Sequence, residues 1–304
     1  MKLKTKNLLT LAELTPKEFL GLIDESIKLK KELKGKGNKP VLKNKTLTMI
    51  FQKPSTRTRV SFEAGMYQLG GHAINLSSDD MQLSRGESIE DTAKTLSRYT
   101  NCIMARVYDH ELLEKLSEHS SVPVINGLSD TFHPCQILAD FMTIKEKKKK
   151  LKGLKITWIG DGNNVCNSMI YGAALSGVKI SIATPKGFEP NKTIVKDAKK
   201  LTTVELTTDP FVAVKNADVV VSDTFSSIHN LDKKRLKKFL PKYQVNSKLM
   251  SAAKKDAIFM HCLPAKRGEE VTSDVIDGVQ SVVWDEAENR LHTQKALLVS
   301  LIHA

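Results

Sequence analysis

The segment Lys53-Pro54-Ser55-Thr56-Arg57-Thr58-Arg59 follows an apolar run and opens a helical pattern. Free backbone N–H groups at a helix start, the hydroxyls of Ser55, Thr56 and Thr58 and the Arg57 guanidinium are donors suited to a phosphate. Arg57 and Arg59 are two residues apart, so one helix cannot turn both towards one ligand. Arg57 is therefore assigned to the anion, and Arg59 to a structural pairing with Glu63 or Glu87. Arg106 sits in the apolar run Met104-Ala105-Arg106-Val107, where a guanidinium needs a partner. In Phe132-His133-Pro134-Cys135-Gln136, Pro134 suits a first helical turn and places His133 and Gln136 at a second helix start. Further on, Gly160-Asp161-Gly162-Asn163-Asn164 offers amides able to meet an amino acid's α-carboxylate and α-amine, and Asp223 adds a carboxylate. His261-Cys262-Leu263-Pro264 closes another apolar run. Taken singly, each cluster has a plainer role as a cap, a packed thiol or a solvated charge; their density argues for chemistry.

Nearly every cluster begins where a short β-favouring run ends. Residues 15–33 have the apolar spacing of an amphipathic helix, and strands are expected at 46–51, 72–76, 102–107 and 122–125. Helical patterns from Ser55 to Gly70-Gly71 and over 87–98 alternate with them, and 77–86 is polar and loop-like. The Lys-rich stretch 145–152 marks a junction. After it, strands are expected at 155–159, 178–183, 204–207, 218–221, 258–261 and 281–284. Strands alternating with helices mean an α/β chain of two domains, each a parallel sheet flanked by helices. Open parallel sheets take ligands beyond the carboxyl ends of their strands.

A length of 304 residues also fits two domains. The formal charge of +13, from 47 Lys+Arg against 34 Asp+Glu, would attract polyanions. Its lysines, however, cluster at 28–36, 145–155 and 233–242 without the aromatics that a nucleic-acid stacking platform needs. Small anionic substrates are favoured over nucleic acid. No apolar stretch has transmembrane length and no apolar h-region follows the basic start, so no membrane partner and a cytoplasmic location are expected. Four dispersed cysteines without a C-x-x-C pair argue against structural zinc and disulfides. A nicotinamide dehydrogenase is disfavoured, because Val165 takes the third glycine position of the dinucleotide fingerprint and Thr184 stands where a ribose-binding acid belongs.

Together, Ser55-Thr56-Arg57-Thr58-Arg59, His133-Pro134-Cys135-Gln136 and His261-Cys262-Leu263-Pro264 resemble the aspartate and ornithine carbamoyltransferase family across nearly the whole chain. The Cys of His-Pro-Cys-Gln and the Cys-Leu-Pro form look like its ornithine branch. Gly160-Asp161-Gly162-Asn163-Asn164, Gly268-Glu269-Glu270-Val271 and the run from Asp285 to His292 support the match.

That resemblance implies transfer of a carbamoyl group from carbamoyl phosphate to the δ-amine of L-ornithine, giving citrulline for arginine biosynthesis, with no cofactor and no metal. It implies that Ser55, Thr56, Arg57 and Thr58 hold the phosphate, while Arg106, His133 and Thr58 donate to the carbonyl oxygen as it gains charge. Gln136 and the backbone carbonyls of Cys262 and Leu263 would hold the carbamoyl NH2, and Arg290 would complete the anion site. Asn164, Asp223, Ser227 and Ile228 would bind ornithine, with Asp223 on the α-amine and Cys262 near the δ-amine. It further implies a homotrimer or a multiple of trimers with sites at subunit interfaces, Gln82 reaching a neighbour's carbamoyl phosphate. The implied domains are 1–146 for carbamoyl phosphate, with helix 292–304 packing back on it, and 147–291 for ornithine. One departure concerns the amine: where the ornithine branch has Ser-Met-Gly, this chain has Ser227-Ile228-His229. His229 lacks glycine's freedom at positive φ, which keeps putrescine or another amine as an alternative substrate.

Overall fold

The computed structural model describes residues 2–225 and 233–302. It divides into two compact units, residues 1–142 with 288–304 and residues 143–287. In the first, helix α1 (Pro16–Lys34) precedes β1 (Thr46–Phe51), α2 (Thr56–Gln68), β2 (His72–Ser77), α3 (Ile89–Tyr99), β3 (Cys102–Arg106), α4 (His110–His119), β4 (Val124–Leu128) and α5 (Pro134–Lys148). The chain passes into the second unit within α5. There follow β5 (Lys155–Ile159), α6 (Asn164–Ser176), β6 (Lys179–Ala183), α7 (Lys192–Ala198), β7 (Val204–Thr207), α8 (Pro210–Val214), β8 (Val219–Ser222), α9 (Lys233–Phe239), α10 (Ser247–Ser251), β9 (Ile258–His261) and α11 (Ser273–Ile276). Helix α12 (Val283–Ile302) returns the chain to the first unit.

Among the described residues, the first sheet has the order β2-β1-β3-β4 and the second β7-β6-β5-β8-β9, with every pairing parallel. Central strands are buried on both faces, Leu47 to Phe51 and Val219 to Ser222 without interruption, as helices flanking a parallel sheet require. Both orders reverse direction once, between β1 and β3 and between β5 and β8. Such reversals leave a crevice at the carboxyl ends of the two strands. The Ser55 segment and Arg106 follow β1 and end β3; Asn163 and Asp223 follow β5 and β8.

Local chemistry sets the boundaries. Thr15 and Glu18 form a reciprocal capping box at α1, with Pro16 in the first turn. Ser55 and Asn163 cap α2 and α6 through their side-chain oxygens, so the polar clusters also begin helices. Within unit 1, α12 packs on the N-terminal helices: Lys30 of α1 reaches Asn289 at 2.7 Å, and Lys295 reaches Gln68 of α2 at 2.8 Å.

Two local expectations are corrected and a third is refined. Residues 281–284 are not a strand: Ser281 makes one isolated bridge to Phe259, and the helix begins at Val283, its first turn stabilised by Asp285 and Glu286. The fourth strand lies at Val124–Leu128, its pairing to β3 continuing to Arg106 opposite Leu128 past Gly127, where a Cβ would meet Met104 Sδ at 2.4 Å. Leu8 bridges to Ile125 beside it. Residues 77–86 include the 3-10 turns Ser78–Asp80 and Gln82–Arg85. No described helix is long and apolar enough to cross a membrane.

Candidate active site

The first cluster is built on α2, β3, α5 and α12. Ser55 Oγ accepts the Thr58 N–H at 3.3 Å and fixes the first turn, leaving Arg57 half-buried and Thr56 exposed. Thr58 is buried, and Arg290 donates from Nη2 to its Oγ1 at 3.2 Å. The other guanidinium arm donates from Nη1 to Gln136 Oε1 at 2.7 Å, and Gln136 Nε2 donates to Asp140 Oδ1 at 2.8 Å. Thr58, Gln136 and Arg290, 232 residues apart at the extremes, thus form one network. Asp140 was not singled out in the sequence, although it lies one turn beyond Gln136 on α5. Arg59 pairs with Glu63 at 3.0 Å, whereas Glu87 takes the Thr92 hydroxyl at 2.7 Å.

His133 is buried among cations. Burial first, then the guanidiniums of Arg290, Arg106 and Arg57, hold its pKa well below the usual histidine range. It is neutral at pH 7 and presents an imidazole N–H. Lys53, passed over in the sequence, lies 4.6 Å from the Tyr108 ring centroid, its pKa lowered by burial and by Arg106. Gln82 is exposed in its 3-10 turn and makes no bond to this network.

The neutral histidine carries a stability consequence. An unfolded histidine takes a proton near pH ~6.5 that folded His133 refuses, so its stabilising contribution is present above that pH and is lost as pH falls. His292, pushed down to about 4 by burial and by Lys295 and Lys30, acts in the same direction. The melting temperature should therefore fall between about pH 6.5 and about pH 5, less steeply in His133→Gln. A level melting temperature across that range would contradict a neutral His133.

The second cluster surrounds Asp223 at the end of β8. Its Oδ2 accepts the Asn163 Nδ2–H at 2.7 Å, and its Oδ1 accepts the Thr224 N–H at 2.8 Å and the Cys262 S–H at 3.2 Å. Asn163 is an amide on the carboxylate, and Asn164 Oδ1 accepts the Val165 N–H of its own helix start at 3.0 Å. Gly162 is needed beside them, because a Cβ would lie 2.2 Å from Pro190 N. Arg235, in a lysine run that read as solvated, is half-buried and ties the loops together: Nε donates to Phe225 O at 2.9 Å, and Nη2 bonds Asp161. Leu263 has φ 57°, in the left-handed region. Ser227 and Ile228 lie outside the described residues.

Asp223, His261 and Cys262 place possible metal-ligating atoms within 4.8 Å of one another. His261, however, already uses both ring nitrogens: Nδ1 accepts the Leu263 N–H at 2.9 Å and Nε2 lies 3.1 Å from Glu270 Oε1. A metal here would displace one of these bonds.

Two parallel-sheet units, one ending its strands in arginines and a neutral histidine and the other in asparagines and a carboxylate, define a two-domain α/β enzyme with clusters suited to an anion and to an amino acid. The chain belongs to the aspartate/ornithine carbamoyltransferase family: residues 6–146 match the model of its carbamoyl-P binding domain, and residues 152–301 that of its Asp/Orn binding domain. It is 62% identical over 301 residues to an ornithine carbamoyltransferase of Cenarchaeum symbiosum, covering 99% of both chains. It is 50% identical to that of Methanosarcina acetivorans, over 98% of this chain and 99% of the relative. Among solved structures, the ornithine carbamoyltransferase of Pyrococcus furiosus superposes with a TM-score of 0.95 at 50% identity, covering 98% of this chain and 97% of that one.

Proposed function

We propose that the chain transfers the carbamoyl group of carbamoyl phosphate to the δ-amine of L-ornithine, releasing citrulline and phosphate, as a step of arginine biosynthesis. The observation that carries this reading is the buried network in which Arg290 donates to Thr58 and Gln136 beside a buried His133, which burial and the guanidiniums of Arg290, Arg106 and Arg57 keep neutral. The transfer passes through a tetrahedral intermediate whose oxygen gains charge. Preorganised donors such as Arg106, Thr58 and the His133 N–H stabilise that charge without waiting for solvent to reorganise. Ser55, Thr56, Arg57 and Thr58, completed by Arg290, would hold the leaving phosphate, the two guanidiniums offsetting its charge; Gln136 and the carbonyls of Cys262 and Leu263 would hold the carbamoyl NH2. Asp223, Asn164, Ser227 and Ile228 would receive ornithine, with Cys262 near the attacking amine. This makes 1–146 with 292–304 the carbamoyl phosphate domain and 147–291 the ornithine domain.

The test compares ornithine, N-acetylornithine, putrescine and aspartate at saturating carbamoyl phosphate. Putrescine lacks the carboxylate that Asn164 would meet, and acetylation removes the cation that Asp223 would meet. A buried polar group left unsatisfied costs about 1 to 3 kcal/mol, so ornithine should lead the other diamines by at least roughly tenfold in kcat/KM. If putrescine or acetylornithine leads, Ser227-Ile228-His229 marks a different amine; if none is carbamoylated, the reading fails.

Homotrimeric assembly with Gln82 serving a neighbouring subunit is part of the proposal. Exposed Val60 and Tyr67 on α2 and Ile74 on the edge strand β2 support a covered face there. After subunit exchange, a mixture of inactive Arg57→Ala and inactive Gln82→Ala proteins should regain activity, since some sites would then combine two intact contributions. Exchange seen by mass spectrometry with no recovery would assign Gln82 to its own chain or to no site. All four cysteines are free thiols, which supports a reducing, cytoplasmic setting.

A further inference from the structure

We infer that His261 and Glu270 are positioning residues: together they lock the imidazole in the tautomer whose Nδ1 lone pair holds the Leu263 amide, and so aim the backbone carrying the Cys262 and Leu263 carbonyls. The inference rests on the role proposed above for those carbonyls. Leu263 adopts φ 57°, a conformation that a side chain with a Cβ rarely takes and that persists only where its surroundings over-determine it. The restraint is the Leu263 N–H donated to His261 Nδ1 at 2.9 Å. A proton on Nδ1 would set donor against donor and release the turn.

A neutral imidazole has two tautomers, and the partner of one nitrogen decides the state of the other. Here Nε2 lies 3.1 Å from Glu270 Oε1, with both side chains fully buried, so the proton belongs on Nε2. Glu270 is itself held: Oε1 accepts the Lys266 N–H at 2.7 Å, and its backbone oxygen accepts the Val245 N–H at 2.9 Å. The His261 backbone is fixed in turn by its N–H donated to Glu286 Oε2 at 2.9 Å. Carboxylate, imidazole and amide form a relay of position in which no proton moves. His261 touches neither substrate in this scheme; it acts through Leu263.

Two substitutions separate the nitrogens. In His261→Asn the side-chain oxygen takes the place of Nδ1 and the Glu270 contact is lost, whereas His261→Gln reaches the Nε2 position and loses the Nδ1 acceptor. The carbamoyl phosphate KM should stay within roughly threefold of the parent in His261→Asn and rise at least roughly tenfold in His261→Gln, with the ornithine KM little changed in both. A merely structural histidine would order the variants by thermal stability instead, with His261→Asn the worse because Glu270 is left buried without its imidazole. The second measurement is the imidazole 15N spectrum of the unsubstituted protein, which needs neither turnover nor a folded variant. It should show Nδ1 unprotonated and Nε2 protonated. A proton on Nδ1, an unchanged KM in His261→Gln, or equal rises in both variants overturns the inference. Citrulline formation by the unsubstituted protein, measured first, tells failure of the proposed function from failure of the lock.

Discussion

Arg57→Ala is expected to leave a folded protein whose kcat/KM for carbamoyl transfer has dropped several hundred-fold. The fold should survive because Arg57 is half-buried and its side chain lies outside the apolar core, while the Ser55 cap on Thr58 and the Ser61 hydroxyl bond to the Arg57 carbonyl do not involve the guanidinium. Activity should not survive. A charge-assisted contact that strengthens as phosphate leaves is worth about 3 to 4 kcal/mol in the transition state, and each ~1.4 kcal/mol is tenfold in rate. Arg57→Lys should fall between, keeping the charge but losing the fork. The check is steady-state kinetics beside circular dichroism; normal kinetics in folded Arg57→Ala would remove the residue from the site.

The clusters were legible where chemistry and secondary structure share residues. Ser55 and Asn163 are helix caps as well as site-forming groups, and caps leave a sequence signature. The strands 46–51, 155–159 and 258–261 coincide with apolar runs because these parallel strands are covered on both faces, whereas 204–207 lies at the sheet edge and keeps only Val204 buried. Legibility ended where a residue's meaning depends on tertiary context. Asp140 is marked only by the Gln136 amide that fold geometry turns towards it. Arg235 sits among lysines and reads as solvated, yet its guanidinium stacks 4.8 Å from the Phe188 ring centroid and bonds the Phe225 carbonyl. Nothing local separates it from its neighbours. Residues 281–284 failed as a strand because a short apolar run has no periodicity of its own, and the acidic pair that follows it starts a helix. The roles of Ile228 and Ser227 rest on resemblance, since both lie outside the described residues.

Asp223→Asn should cost about as much as Arg57→Ala, but through the other substrate. The Asp223 carboxylate is nearly buried and accepts from the Asn163 amide, the Thr224 N–H and the Cys262 thiol. Three donors converge on an acceptor-only group, so an amide of the same shape must turn its own NH2 towards at least one of them. Either the Asn163 bond or the Oδ1 pair becomes a donor facing a donor. The substitution also deletes the negative charge proposed to meet ornithine's α-amine. A hydrogen bond to a charged group is worth about 1.5 to 3 kcal/mol, and the displaced donor adds to that, which places the loss in kcat/KM for ornithine near a hundredfold or beyond. Carbamoyl phosphate KM should stay within roughly threefold, since its proposed phosphate ligands Ser55 to Thr58 and Arg290 are untouched. The sharper readout is selectivity. N-acetylornithine has no α-cation to lose, so its already low rate should barely fall, and the preference for ornithine over it should collapse in Asp223→Asn. If the preference persists, the α-amine is recognised elsewhere and Asp223 serves the attacking amine through Cys262 instead.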